Sequence, residues 1–149
     1  MPKKKIIAIQ ADSLNSINIK TDTTFLLALE AQKRGNKIYW YQTKDLNFIK
    51  GKVYANVEDI RFYENRSAFY KILKKRRFDL SKANYLLIRQ NPPFNMDYIT
   101  STFFLESISK TVKIINNPIA IRNISEKFYS INFLKFMPPT IFTKDIKEI

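Results

Sequence analysis

Arg89 is the side chain whose type and setting best suit it for chemistry. It follows the unbroken apolar run Tyr85, Leu86, Leu87 and Ile88 and precedes Gln90, Asn91, Pro92 and Pro93. Such a run is the pattern of a strand buried on both faces. Proline lacks the N–H and holds its neighbour extended, so the ladder ends there, and Asn95 is in position to cap a helix beginning near Met96. Open parallel sheets take their ligands beyond strand ends of this kind. A guanidinium held there by a rigid turn is suited to clamping a carboxylate.

What the chain lacks narrows the rest. Among 149 residues there is no cysteine and no histidine. Disulfides, zinc–thiolate sites, iron–sulfur clusters and thiol nucleophiles are therefore excluded, and the commonest general base and metal ligand is missing. The two glycines, Gly35 and Gly51, are too few and too far apart for a Walker loop or a dinucleotide fingerprint. Asp12 and Asp22 raise the thought of a magnesium pair, but the first reads as a strand end and the second as a helix cap, so no metal site is assigned. The apolar run after Lys5 is too short for a signal peptide and no segment could span a bilayer, so a soluble cytoplasmic protein is expected.

A formal charge of +13 raises nucleic acid as a partner. The richness in Lys, Ile, Asn, Phe and Tyr runs through the whole chain, however, which makes nucleic acid the lesser expectation.

The elements that must position Arg89 read as an α/β layered sheet in a single domain. Lys5–Gln10 is a first buried strand, followed by the long polar loop Ala11–Thr21. Thr21 or Asp22 caps a helix with Phe25, Leu26 and Leu29 on one face and Gly35 as terminator. Lys37–Gln42 is a second strand, which completes a right-handed βαβ unit. Asp45–Asp59 reads as a hairpin turning at Lys50-Gly51. Tyr63–Arg77 carries Phe69, Tyr70, Ile72 and Leu73 on a helical pattern and ends in Lys74-Lys75-Arg76-Arg77, read as a solvated helix terminus.

After the strand before Arg89 comes a helix over Met96–Lys110, in which Tyr98, Phe103 and Phe104 are expected in the core. Thr111–Asn117 is a further strand, leading to a loop or short helix through Asn123. Ser125 caps a helix running to Phe136 with Glu126 in its first turn, Thr140–Thr143 is a short strand, and Lys144–Ile149 begins one more helix. An isolated turn gains little against its nucleation cost, so more sequence is expected downstream.

The segments NINIKTDTTFLLALEAQKRG, LLIRQNPPFN and IINNPIAIRNISEK, in this order, resemble the amino-terminal part of bacterial glutathione synthetase. The resemblance implies a Rossmann-like pre-ATP-grasp domain of three layers over residues 1–122, with a mostly parallel sheet and a small β-hairpin insertion. Residues 123–149 would start a truncated ATP-grasp region. It further implies ligation of γ-L-glutamyl-L-cysteine to glycine with ATP and Mg2+ through an acyl phosphate, by a complete enzyme whose second half this chain lacks. The chain alone is expected to be inactive and to hold neither cofactor stably.

Three places carry over from the family's motifs. Arg89 matches its R-x-D-P-P-F arginine and is expected at the peptide substrate's carboxylate. Asn18, with Asp22, Thr23 and Thr24, matches the loop and helix start facing the same cleft. Lys127 matches the N-E-K lysine, implied to reach the ATP phosphates. The sequence departs from the pattern at Asn91 and Asn95, where the family has acidic residues, and at Ser125, where it has asparagine. Two carboxylates fewer leave Arg89 freer for an anion, or mark a site drifting from function.

Expected partners are a γ-glutamylcysteine-like peptide and either a separate ATP-grasp chain or further copies in a homo-oligomer. Two other classes stay open. One is a basic α/β module binding nucleic acid or an acidic partner through Lys71, Lys74, Lys75, Arg76 and Arg77; the other is a decayed fragment.

Overall fold

The computed structural model describes residues 4–65, 68–125 and 127–149. The first βαβ unit is β1 (Ile6–Gln10), α1 (Thr23–Lys33) and β2 (Lys37–Tyr41). It is followed by β3 (Leu46–Ile49), β4 (Lys52–Phe62) and β5 (Tyr70–Asp79), then β6 (Tyr85–Ile88), α2 (Met96–Glu106), β7 (Lys113–Ile115) and α3 (Pro118–Asn123). Among the described residues the sheet has seven strands, in the order β3-β4-β2-β1-β6-β7, with β5 also paired to β4. From β2 to β7 the pairings are parallel, and those around β4 are antiparallel.

The expected α/β architecture is found, with helices on both faces of a Rossmann-like sheet. On one face α1 buries Phe25, Ala28 and Leu29 against Ile9, Ile38 and Trp40. Its buried stripe is Thr24, Phe25, Ala28 and Leu29, so the small Ala28 takes the place expected for Leu26, which is 52% exposed. On the other face Leu105 of α2, with Ile108 just beyond its end, packs against Ala8, Leu86 and Ile88. Each helix has a built start and α1 a built stop. Asp22 Oδ1 accepts from the Phe25 N–H at 2.8 Å, Asn95 Oδ1 from the Tyr98 N–H at 3.0 Å. Gly35, at φ +82°, donates to the Gln32 carbonyl while Asn36 donates to that of Ala31, which is a Schellman stop.

Several expectations are corrected. Among the described residues from Tyr63 to Arg77 there is no helix: Tyr70–Asp79 is a strand along β4, so the hairpin grows into an antiparallel three-stranded extension. The pairing supplies what a helix could not. Glu58 and Asp59 on β4 take Lys75 Nζ at 2.7 Å and Arg76 Nη2 at 3.1 Å, and Arg77 lies over the Tyr54 ring at 4.4 Å. The helix from Met96 stops at Glu106, and the following strand is confined to Lys113–Ile115. Phe104 is half-buried against Phe48, whereas Phe103 is 55% exposed beneath the Arg122 guanidinium.

Phe128–Phe136 is a 3-10 helix interrupted at Phe133, to which Ser125 contributes a hydroxyl acceptor for the Phe128 N–H at 3.2 Å. Glu126, expected in its first turn, lies outside the described residues. Thr140–Thr143 has no strand partner among the described residues and stays irregular, and the last helix is a single 3-10 turn, Ile146–Glu148.

The turn at Lys50-Gly51 is found as expected, with φ +49° and +76°. Positive φ at both central positions defines the tight type I′ geometry, which suits Asn-Gly and strains lysine. Lys50→Asn is therefore expected to stabilise the domain by about 0.5 kcal/mol, read as a melting temperature roughly 1–2 °C higher.

Candidate functional site

β1 leads through α1 to β2 on one side of the sheet, whereas its neighbour β6 leads through α2 to β7 on the other. Where connections depart in opposite directions, the strand ends open a crevice, and in α/β sheets that crevice is the ligand site. The register pairs Gln10 with Ile88, and the Arg89 N–H continues the ladder with a 2.7 Å bond to the Gln10 carbonyl. Backbone pairing thus carries Arg89 to the carboxyl edge at the switch point. The Pro92-Pro93 bond beyond it is cis.

The Arg89 side chain is anchored by two threonines at the start of α1. Its Nε donates to Thr24 Oγ1 at 3.1 Å and its Nη2 to Thr23 Oγ1 at 2.7 Å. No carboxylate pairs with it among the described residues. A guanidinium has five N–H donors, so the hydroxyls fix its plane and leave most of the fork for a ligand. The N–H of Phe25 is taken by Asp22, while those of Thr23 and Thr24 stand in the first turn, where the helix dipole favours negative charge. Asn18 closes the loop below them: its carbonyl accepts from the N–H groups of Thr21 and Asp22, and its Oδ1 from that of Lys20.

Arg89, Asn18, Asp22, Thr23 and Thr24 line one cleft of about 340 Å³. Asp12, Trp40 and Asn91 also line it, and sequence reasoning did not place them there. Asp12 is no strand end: β1 stops at Gln10, and Asp12 Oδ2 accepts from the Asn91 N–H at 3.0 Å. The Trp40 indole N–H donates to the Asp12 carbonyl at 2.9 Å. The signal was available in one form: residues just beyond two adjacent parallel strands come together, so Asp12 had to lie near Arg89 once β1 and β6 were paired.

Asn95 is spent as the α2 cap, and Asn91 offers its backbone N–H to Asp12. Tyr98 stands behind this turn with its ring 4.9 Å from Phe94. Burial first, and then the Asp12 carboxylate, push its hydroxyl above the usual phenol range, with Arg89 offsetting part of the shift.

Lys127 is not in this cleft. It is exposed and lines a second one, of about 610 Å³, with Pro92, Phe94, Tyr98, Ile121 and Ile124. The two clefts are separated by the Asn91–Phe94 turn, which contributes Asn91 to the first and Pro92 and Phe94 to the second. Among the described residues no group of three acidic side chains converges to hold a metal ion, and no helix is long and apolar enough to cross a membrane.

An α/β sheet whose strands from β2 to β7 run parallel, with a polar cleft at its switch point, places the chain in the Rossmann-like class of domains. Within that class the comparison with known proteins is specific. Residues 6–122 match the model of the prokaryotic glutathione synthetase N-terminal domain, and the chain belongs to that family. It is 40% identical to the glutathione synthetase of Agrobacterium fabrum over 149 residues, all of this chain and 47% of that protein. Against the glutathione synthetase of Mesorhizobium japonicum it is 39% identical over 143 residues, 96% of this chain and 46% of the relative. With that of Buchnera aphidicola subsp. Schizaphis graminum it shares 37% over 152 aligned residues, 100% of this chain and 48% of the relative. The chain thus spans about half the length of the curated relatives it matches.

Proposed function

We propose that this chain is the substrate-side half of a cytoplasmic glutathione synthetase, which holds γ-L-glutamyl-L-cysteine while an ATP-grasp half joins the peptide to glycine. One observation carries the reading: Arg89, Asn18, Asp22, Thr23 and Thr24, drawn from two distant segments, line a single polar cleft at the sheet's switch point. Arg89 and the first-turn N–H groups of α1 would receive a carboxylate of the peptide. Residues 1–122 form this half, and residues 123–149 begin the ATP-grasp region. Leu134, Phe136 and Ile146, at 66%, 76% and 84% exposure, present apolar surface that a following or separate ATP-grasp domain would cover.

ATP, when bound, supplies the phosphoryl group that activates the peptide's free carboxylate. The second cleft offers it one lysine, Lys127, and an arginine, Arg122, that Glu106 already neutralises, without a glycine-rich turn. That donor set fits one phosphate contact, at which a point charge would offset developing negative charge, and not a nucleotide pocket. Lys127 has no ion-pair partner among the described residues, so its charge is available. Magnesium would be held by carboxylates of the ATP-grasp half.

The division of labour is tested by assaying glutathione formation from the dipeptide, glycine, ATP and Mg2+. The chain alone is expected to give none, and turnover is expected once the ATP-grasp half of the Agrobacterium relative is added. Turnover by the chain alone would overturn the reading.

A further inference from the structure

A cleft of about 640 Å³, nearly twice the size of the one beside Arg89, shares only Trp40 with it and has no part in the proposed function. It opens where the sheet divides. β5 lies along β4 from Tyr54 to Phe62, so β2 and β3 must share the opposite edge, β2 at Glu58 to Ile60 and β3 at Lys52 to Ala55. Between those two stretches Asn56 and Val57 pair with β5 and, among the described residues, with no strand on that edge. β2 has ended at Tyr41 and β3 has yet to begin at Leu46, with the 3-10 turn Thr43–Asp45 between them. Strands that part in this way leave a crevice, because no backbone fills the space between them.

Basic side chains outnumber acidic ones along this crevice: Lys44, Lys75, Arg76 and Arg77 against Asp45 and Glu58. Most of these charges are spent. Glu58 takes Lys75 Nζ at 2.7 Å, Asp45 Oδ2 takes the Gln42 N–H at 2.9 Å, and Arg76 is paired with Asp59 outside the lining. Lys44 and Arg77 remain, exposed and without a carboxylate partner among the described residues. Arg77 is held all the same, because its guanidinium lies over the Tyr54 ring at 4.4 Å, which fixes its plane and leaves its N–H donors for a ligand. The loop after β1 adds a neutral donor. Asn15 Oδ1 accepts from the Tyr70 hydroxyl at 3.1 Å, which orients the amide and leaves its NH2 without an acceptor among the described residues.

Two unspent cations and an oriented amide ask for more than a carboxylate, which brings one charge and two acceptor oxygens. A phosphate monoester carries about −1.5 to −2 charges at neutral pH and three acceptor oxygens. A bare phosphate would fill a fraction of the crevice, whose size is that of a small-molecule site. We infer that this crevice binds a small molecule through a phosphate monoester, held by Lys44 and Arg77 with the Asn15 amide donating alongside. The site is independent of Arg89 and of the peptide that Arg89 receives.

The probes are glycerol 3-phosphate, glycerate as its carboxylate counterpart, and inorganic phosphate, each titrated into the isotopically labelled chain at constant ionic strength with calorimetry in parallel. Glycerol 3-phosphate is expected to give saturable amide shifts at Asn15, Lys44, Asn56 and Arg77, and to bind at least about tenfold more tightly than glycerate. Inorganic phosphate is expected at the same residues with lower affinity. Arg77→Gln and Lys44→Gln are each expected to weaken the monoester about tenfold or more, the size of a charge-assisted hydrogen bond. Both side chains are exposed, so the fold is expected to survive. Arg77→Gln is expected to leave binding of the thiol-free peptide γ-glutamyl-2-aminobutyrate unchanged, and Arg89→Ala to leave binding of the monoester unchanged. No saturable shift, equal binding of glycerate, or tighter binding of inorganic phosphate would overturn the inference. So would monoester binding that Arg89→Ala abolishes, because the anion would then lie in the peptide cleft. Shifts with a single-stranded oligonucleotide and none with the monoester would overturn it in favour of nucleic acid. Each of these outcomes leaves the proposed function standing.

Discussion

Arg89→Ala is expected to weaken binding of γ-glutamyl-2-aminobutyrate roughly 30- to 150-fold, about 2–3 kcal/mol, with only a small change in melting temperature. The large effect follows from the guanidinium's position. It is the cation of the cleft without a carboxylate partner among the described residues, so its charge is unspent until a ligand arrives. The small effect on stability follows from its anchors. Thr23 is exposed, and solvent can replace the bond its hydroxyl loses; Thr24 is buried, so the bond lost there sets the cost, at about 1 kcal/mol. Arg89→Lys separates charge from geometry. A lysine keeps the charge but cannot bond both threonines and a carboxylate in one plane, so it is expected to recover about tenfold of the loss and no more. Calorimetric titration of the three chains checks the order; equal affinities would remove Arg89 from the site.

Leu86→Ala is expected to cost about 2–5 kcal/mol of folding stability, the largest effect of any substitution considered for this chain. Leu86 lies on β6 between β1 and β7 with no exposed surface, packed in the cluster that includes Ala8, Ile88, Leu105 and Val112. Both sheet neighbours hold the backbone in place, so the surroundings cannot collapse onto the space left by the lost methyl groups. Domains are stable by about 5–15 kcal/mol, so a loss of this size removes a large share of the total. β6 also delivers Arg89, and the same substitution is expected to reduce the fraction of chain able to bind peptide at 37 °C. Denaturant titration monitored by circular dichroism measures the cost. A cost below about 1 kcal/mol would contradict the packing described.

Much of this molecule is legible locally. The apolar run before Arg89, the double proline, the Asp22 and Asn95 caps and the stop at Gly35 each follow from a few adjacent residues, and each is found. The segment before Asp79 shows the limit. Tyr70, Ile72 and Leu73 are spaced as a helix allows, but aromatic and β-branched side chains also suit strands. What decides the outcome is β4, whose Glu58 and Asp59 neutralise Lys75 and Arg76 from 17 residues away in sequence. The same distance effect hid Asp12. Its approach to Asn91 depends on β1 pairing with β6, a contact spanning 79 residues that no local pattern announces. The stretch after Ser125 was misjudged for the opposite reason. Its apolar side chains suggest a helical face, yet most of them remain exposed, and without burial the chain stays in 3-10 turns.

The central claim is that the carboxyl edge between β1 and β6 holds the peptide. Amide chemical shifts of the isotopically labelled chain, followed while γ-glutamyl-2-aminobutyrate is added, test it most directly. The account predicts saturable shifts concentrated at Asn18, Thr23, Thr24, Arg89 and the Trp40 indole, with Lys71 to Arg77 unmoved. Shifts confined to that basic strand, or none at the edge between β1 and β6, would contradict it.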